Sequence, residues 1–149
     1  MLVLAPRMVI VHHSATVDGS TYSWGAIERY HTQEMGWRDI GYHAGIELIG
    51  GDFGCLFGRP DFLQGAHTAG HNADSLGFCF VGNYDLLGPD DWMLRIAARR
   101  VLVPWMRRFG LLISDFHPHS EFANKTCPGT KFDMAALQVV LREEFKLAS

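Results

Sequence analysis

Met8-Val9-Ile10-Val11-His12-His13-Ser14-Ala15-Thr16 decides how this chain is read. Met8 to Val11 are apolar and rich in β-branched residues, and Met8 to His12 reads as a buried strand. Two histidines stand at its end. Neighbours on a strand point to opposite faces, so at most one of His12 and His13 reaches a given site. Beyond them the chain turns polar through Ser14, Thr16, Asp18, Gly19 and Ser20.

Working outward, Ser23 is placed to cap a helix that carries Trp24, Ile27, Tyr30 and His31 on about one face, with Gly36 ending it. Residues Ile40 to Ile49 and Phe53 to Phe57 read as two strands of a hairpin around Gly50-Gly51-Asp52. Pro60 to Ser75 is an irregular loop, a usual place for function. Leu76 to Gly82 is apolar throughout and reads as a central strand. A helix is expected from about Pro89-Asp90 to Phe109, kinked or broken at Pro104. Leu111 to Ser114 reads as a short strand. Asp133 is placed to cap a last helix with Met134, Leu137, Val140 and Leu141 on one stripe. Strands that alternate with helices, one pair being a hairpin, predict an α/β fold: a single domain spanning 1–149, with a mixed central sheet flanked by helices on both faces.

The composition agrees. The chain has 149 residues, of which 48% are hydrophobic and 19% charged, enough apolar content for a core and too little charge for disorder. The formal net charge is −3, and the basic residues gather only as the doublets Arg99-Arg100 and Arg107-Arg108, the pattern of a solvated helix face. Nucleic acid is therefore not an expected partner. No segment is long enough to span a bilayer. Met1 to Arg7 lacks a basic, then apolar, signal pattern, so synthesis in the cytoplasm without an obvious export signal is expected. A monomer is expected.

Three cysteines at scattered positions do not make a disulfide framework. Cys55 and Cys79 lie in apolar runs and read as small core residues. Cys127 differs, because Lys125, Thr126, Pro128 and Gly129 surround it. His119 lies eight positions before it, and the His12-His13 pair is distant in sequence. Two histidines and a cysteine make a zinc site with three protein ligands, which leaves the fourth tetrahedral position open, as in hydrolases. Spacing alone allows His12 or His13, and His117 or His119, beside Cys127. It also allows a rival chemistry in which Cys127 is a nucleophile served by a histidine base. Against the rival, nucleophilic cysteines are commonly activated at a helix N-terminus. Here Pro128-Gly129 follows, and the helix begins only near Asp133. Of the other histidines, His31 reads as structural or surface, and His43 points away from its neighbour Tyr42. His67 and His71 share the long loop.

Four segments resemble the zinc-dependent N-acetylmuramoyl-L-alanine amidases of the type 2 amidase and peptidoglycan-recognition superfamily, with small phage endolysins nearest in look. They are Val11 to Thr16, Gly36 to His43, Gly65 to Asn72 running on through Ser75-Leu76-Gly77 to Val81-Gly82, and His119 to Gly129. They occur in the family's order over nearly the whole chain, and four in order are specific where one alone is weak. The resemblance implies Zn2+ held by His12, His119 and Cys127, with Tyr42 and Lys125 as catalytic residues. It gives His67 and Asn72 to substrate binding, and for both the alternative is loop structure. His71 and the segment from Tyr84 to Trp92 depart from the pattern.

The implied reaction is hydrolysis of the amide that joins the lactyl group of N-acetylmuramic acid to L-alanine, in peptidoglycan or a soluble muropeptide. The implied setting is a phage endolysin that reaches the cell wall from the host cytoplasm through another protein's pore. The alternatives are a cytoplasmic amidase that recycles muropeptides and a recognition module that binds without cutting.

Overall fold

The first strand of the sheet, β1, runs from Met8 to His13 and occupies an interior position. The structure is a computed structural model that describes residues 2–16 and 23–148, so the polar stretch expected at Asp18, Gly19 and Ser20 lies outside the described residues. Four more strands complete the sheet: β2 (Ala44–Ile49), β3 (Asp52–Phe57), β4 (Ser75–Phe80) and β5 (Phe116–Pro118), in the order β3-β2-β4-β1-β5. The β2–β3 pair is the expected antiparallel hairpin, with Ile49 opposite Asp52, and the remaining pairings are parallel. The sheet is thus mixed, as expected.

The two faces carry different layers. Val9, Val11, Leu76, Phe78 and Phe80 point into the main core with three helices: α2 (Asp91–Ala97), α3 (Val103–Phe109) and α4 (Met134–Leu147). The opposite face carries a smaller cluster of Trp24, Ile40, Cys79 and Val81, in which Trp24 belongs to α1 (Trp24–Arg29). Helices cover both faces, unequally. His12 and Cys79 are register partners on adjacent parallel strands and share the thinly covered face. That thin cover is what leaves room for a cleft.

Local chemistry explains most helix ends. Asp90 accepts the Trp92 N–H at 2.7 Å, and Asp133 accepts the Ala135 N–H at 2.9 Å, as N-caps do. Ser23 stands before α1 but makes no such bond. The Trp24 N–H donates instead to Glu47 Oε2 of β2 at 2.8 Å, so a buried carboxylate from the sheet holds the helix start. A negative group at this end also suits the helix dipole.

Three expectations need correction. Residues Ile40 to His43 are not strand; β2 begins at Ala44, and Tyr42 sits in the turn before it. Pro104 does not break its helix: one wide turn, Ala98–Leu102, joins α2 to α3, and a wide turn is a usual way to absorb a missing N–H. Leu111 to Ser114 is not a strand either. A short helical turn, Ile113–Asp115, intervenes, and the strand is Phe116–Pro118, where Phe116 reaches Val9. Among the described residues no helix is long and apolar enough to cross a membrane.

Candidate active site

Three parallel strands, β4, β1 and β5, end side by side, and the site is built at those ends. His12 comes from the end of β1 and is 1% exposed. His119 follows Pro118, the last residue of β5, in a single helical turn. Cys127 lies on the loop after it, which the Ser120 N–H closes by donating to the Cys127 carbonyl at 2.8 Å. Cys127 Sγ sits 3.8 Å from His12 Nδ1, and the His13 backbone N–H donates to the same sulfur at 3.4 Å. One ligand atom from each of His12, His119 and Cys127 falls within 4.8 Å of the other two. Among the described residues no other group of three histidine, cysteine or acidic side chains converges in this way.

The alternatives left open by spacing are closed by position. His13 points to the other face, where its Nδ1 accepts the Tyr84 N–H at 3.1 Å. His117 lies outward and pairs with Glu121 at 2.8 Å.

The donor set fits a zinc ion. Burial pulls His12 well below the usual imidazole range, and the rings of His67 and His119 add to this. Burial, then Lys125, lowers His119. Both imidazoles are therefore neutral, with lone pairs free for a cation. Burial pushes the Cys127 thiol up to about 11, outweighing the His13 N–H and Lys125, which lower it, so the thiol is not held as a thiolate. Two neutral imidazoles and a buried thiol that converge on one point are the ligands of a borderline-soft divalent metal, and they would release a proton on binding it.

Above this floor opens a cleft of about 520 Å³, lined by the three candidate ligands together with Tyr42, His67, Asp85, Lys125 and Thr126. Lys125 is exposed and close enough to lower the pKa of both His12 and His119. The Tyr42 ring centre lies 5.1 Å from that of His12. Burial, then the Cys79 and Cys127 sulfurs, keep its phenol well above the usual value. The phenol stays protonated and its hydroxyl is hydrogen-bonded to the Cys79 sulfur. A second, more apolar groove adjoins the cleft and shares Ser14, His31 and Tyr42 with it; Ala26 and Ile27 of α1, with Tyr30 just after it, form its wall.

His31, read from sequence as structural or surface, stands at this seam. Its Nδ1 accepts the Gly41 N–H at 3.0 Å, and its ring packs 4.6 Å from Trp37. That bond leaves Nε2 carrying the hydrogen. No helix periodicity signals such a role, because Gly41 and Trp37 lie beyond the helix. Asp85, which the sequence reading did not single out, lines the cleft and accepts hydrogen bonds from Thr126 and Thr130.

For Asn72 both substrate binding and a loop role were open. It does not line the cleft, and its Oδ1 accepts the backbone N–H groups of His67 and Thr68 at 2.9 and 3.0 Å. It is a loop clamp, the usual use of such a side chain. His67 reaches the cleft wall, but its Nδ1 lies 3.0 Å from His12 Nε2. Burial, then His43, holds its imidazole down to about 3.

Residues 3–130 match the family described as N-acetylmuramoyl-L-alanine amidase. An N-acetylmuramoyl-L-alanine amidase of Homo sapiens is 37% identical over 106 residues, 70% of this chain but only 18% of that protein. The endolysin of Escherichia phage T7 is 32% identical over 130 residues, 85% of this chain and 81% of the endolysin. Among solved structures, an endolysin N-acetylmuramoyl-L-alanine amidase from Clostridium intestinale superposes with a TM-score of 0.75 at 27% identity, covering 93% of this chain and 85% of that one.

Proposed function

The chain belongs to the N-acetylmuramoyl-L-alanine amidase family, and from that membership we propose that it hydrolyses the amide between the lactyl group of N-acetylmuramic acid and L-alanine in peptidoglycan. The observation that carries this reading is the convergence of His12, His119 and Cys127 on the floor of a cleft walled by Tyr42 and Lys125. A zinc ion held by those three residues supplies Lewis acidity and a water acidic enough to attack a carbonyl at neutral pH.

The chain's own residues do the rest. The Lys125 ammonium faces the cleft and opposes the negative charge that grows on the amide oxygen, an interaction typically worth about 3 kcal/mol in the transition state. Tyr42 stays protonated, its hydroxyl hydrogen-bonded to the Cys79 sulfur, and would turn from that sulfur to donate to the amide oxygen or to the attacking water. The apolar groove beside α1 adjoins the cleft and has room for the stem peptide, which hangs from the nitrogen of the scissile amide.

The phage endolysin among the relatives supports a lytic role on the bacterial wall, with the protein made in the host cytoplasm and released through a pore formed by another protein. Zinc-loaded protein incubated with purified peptidoglycan is expected to release free stem peptides that begin with L-alanine. Uncut glycan and peptide after prolonged incubation would sink the enzymatic reading and leave a binding module. Intact sacculi degraded more slowly than soluble muropeptides would point to recycling rather than lysis.

A further inference from the structure

His12 presents two nitrogens, and only Nδ1 faces Cys127. The other, Nε2, lies 3.0 Å from His67 Nδ1 and 3.4 Å from Thr68 Oγ1, with the His12 and His67 rings nearly perpendicular at 89°. A metal on Nδ1 requires the hydrogen on Nε2, and that hydrogen needs an acceptor inside the protein. We propose that His67 is a positioning residue for the metal centre: its Nδ1 accepts the Nε2–H of His12, fixing the tautomer and ring orientation that present Nδ1 to zinc. This rests on the metal reading of His12, His119 and Cys127 given above, and it takes His67 out of substrate binding.

The surroundings of His67 serve that bond. Both of its nitrogens are engaged, Nδ1 by His12 and Thr68 and Nε2 by Ser75 Oγ at 3.5 Å, so neither is left for a ligand. Its backbone is pinned by Asn72, and Ser75 donates to the His71 carbonyl at 2.6 Å. The ring lies directly over Gly77 of β4, where a Cβ would come within 2.6 Å of His67 Cγ and Cδ2. Only glycine at 77 leaves the ring its place. His43 backs it edge-on at 5.7 Å, held by the Gly77 N–H on Nδ1 and the Leu63 carbonyl on Nε2. A loop, strand β4 and a second histidine thus hold one acceptor still, and that acceptor touches a candidate ligand.

The test measures metal affinity directly. Wild type, His67→Phe and His67→Asn are titrated with zinc against a chromophoric chelator, and the same proteins are loaded with cobalt for absorption spectra. Phe keeps an aromatic ring without an acceptor, whereas the Asn carbonyl oxygen can stand near the lost Nδ1. His67→Phe is expected to bind zinc roughly 10–100-fold more weakly, the usual cost of losing such a partner. His67→Asn is expected to recover most of that affinity and the wild-type cobalt bands, and KM for a soluble muropeptide at saturating zinc stays unchanged. Wild-type zinc affinity in His67→Phe overturns the proposal, as does a raised KM with metal binding intact. Should the Phe variant fail to fold, an Asn variant as poor in zinc as an alanine variant overturns it equally. Failure of wild type to bind one zinc per chain sinks the metal reading itself, a distinct result.

Discussion

Asp85 accepts the hydroxyl hydrogen of Thr126 at 3.0 Å, which ties the loop after β4 to the residue just before Cys127. The other Asp85 oxygen accepts the Thr130 N–H at 2.8 Å, so one carboxylate grips the candidate ligand loop on both sides of the sulfur. Between these two grips Gly129 takes φ +125, and a Cβ there would stand 2.4 Å from the Tyr84 carbonyl carbon. Asp85→Ala is therefore expected to weaken zinc binding by roughly tenfold, within the range for groups that orient ligands indirectly. Chelator competition measures this, and far-UV circular dichroism should show the fold retained. Unchanged affinity would mean that the loop holds its shape without the clamp.

Lys125 faces the cleft without belonging to the candidate ligand set. Lys125→Ala should keep one zinc per chain and lose about 100-fold in turnover, the scale set by removal of one charge-stabilising donor. Turnover at the wild-type level, with full metal content, would remove Lys125 from the chemistry.

Tyr42→Phe removes only a hydroxyl from a ring packed against Trp24 and His12. Metal content should hold, and kcat should fall by roughly 100-fold or more, as for the loss of a proton donor. Burial keeps the phenol protonated, so its ionisation should put no alkaline limb into the pH profile of kcat/KM below about pH 10.

Cys127 separates the metal mechanism from the cysteine-nucleophile mechanism. Chelation should abolish activity, and added zinc should restore it. In the zinc-loaded protein the thiol should resist alkylation, because it is buried and engaged. Inactivation by alkylation with full retention of metal would instead support the nucleophile.

How far the sequence speaks for itself depends on where each partner lies. Met8 to His12, Phe53 to Phe57 and the stripe of α4 carry their own signal in apolar spacing, and all three elements form there. The three candidate ligands were legible because a family pattern fixes their identity in local segments. Ser23 and Glu47 show the opposite case. The local cap signal pointed to Ser23, yet the bond comes from a carboxylate 23 residues from Trp24, which no local pattern encodes. Phe116-His117-Pro118 has little strand character and is strand because it fills the free edge of β1, a place where proline is tolerated. For His67 and Asn72 the sequence left substrate binding and loop structure both open. Their contacts with His12 and with the loop backbone are visible only once β1 and the loop meet.

Far from the cleft, Glu144 of α4 is buried and accepts from Arg99 at 2.7 Å, with Arg95 at 3.4 Å, which ties α4 to the α2 segment. The Arg99 hydrogen bond, then Arg95, holds its carboxyl below the usual range. A carboxyl depressed in the folded state favours the fold wherever it is ionised. That contribution is complete above the unfolded pKa, about 4.3, and is lost as pH falls through the lower folded value. Glu144→Gln removes the charge and keeps the shape. At pH 7 it should cost about 1.5 kcal/mol, the low end for a charged hydrogen bond because both arginines are partly exposed. Melting temperature should drop on the order of 3–6 °C. The gap between the wild-type and variant melting curves should begin to close below about pH 4 and vanish only once pH has fallen through the lower folded value, where the wild-type side chain is as neutral as the amide. A gap that persists undiminished into acid would show that Glu144 stabilises α4 through packing rather than through its charge.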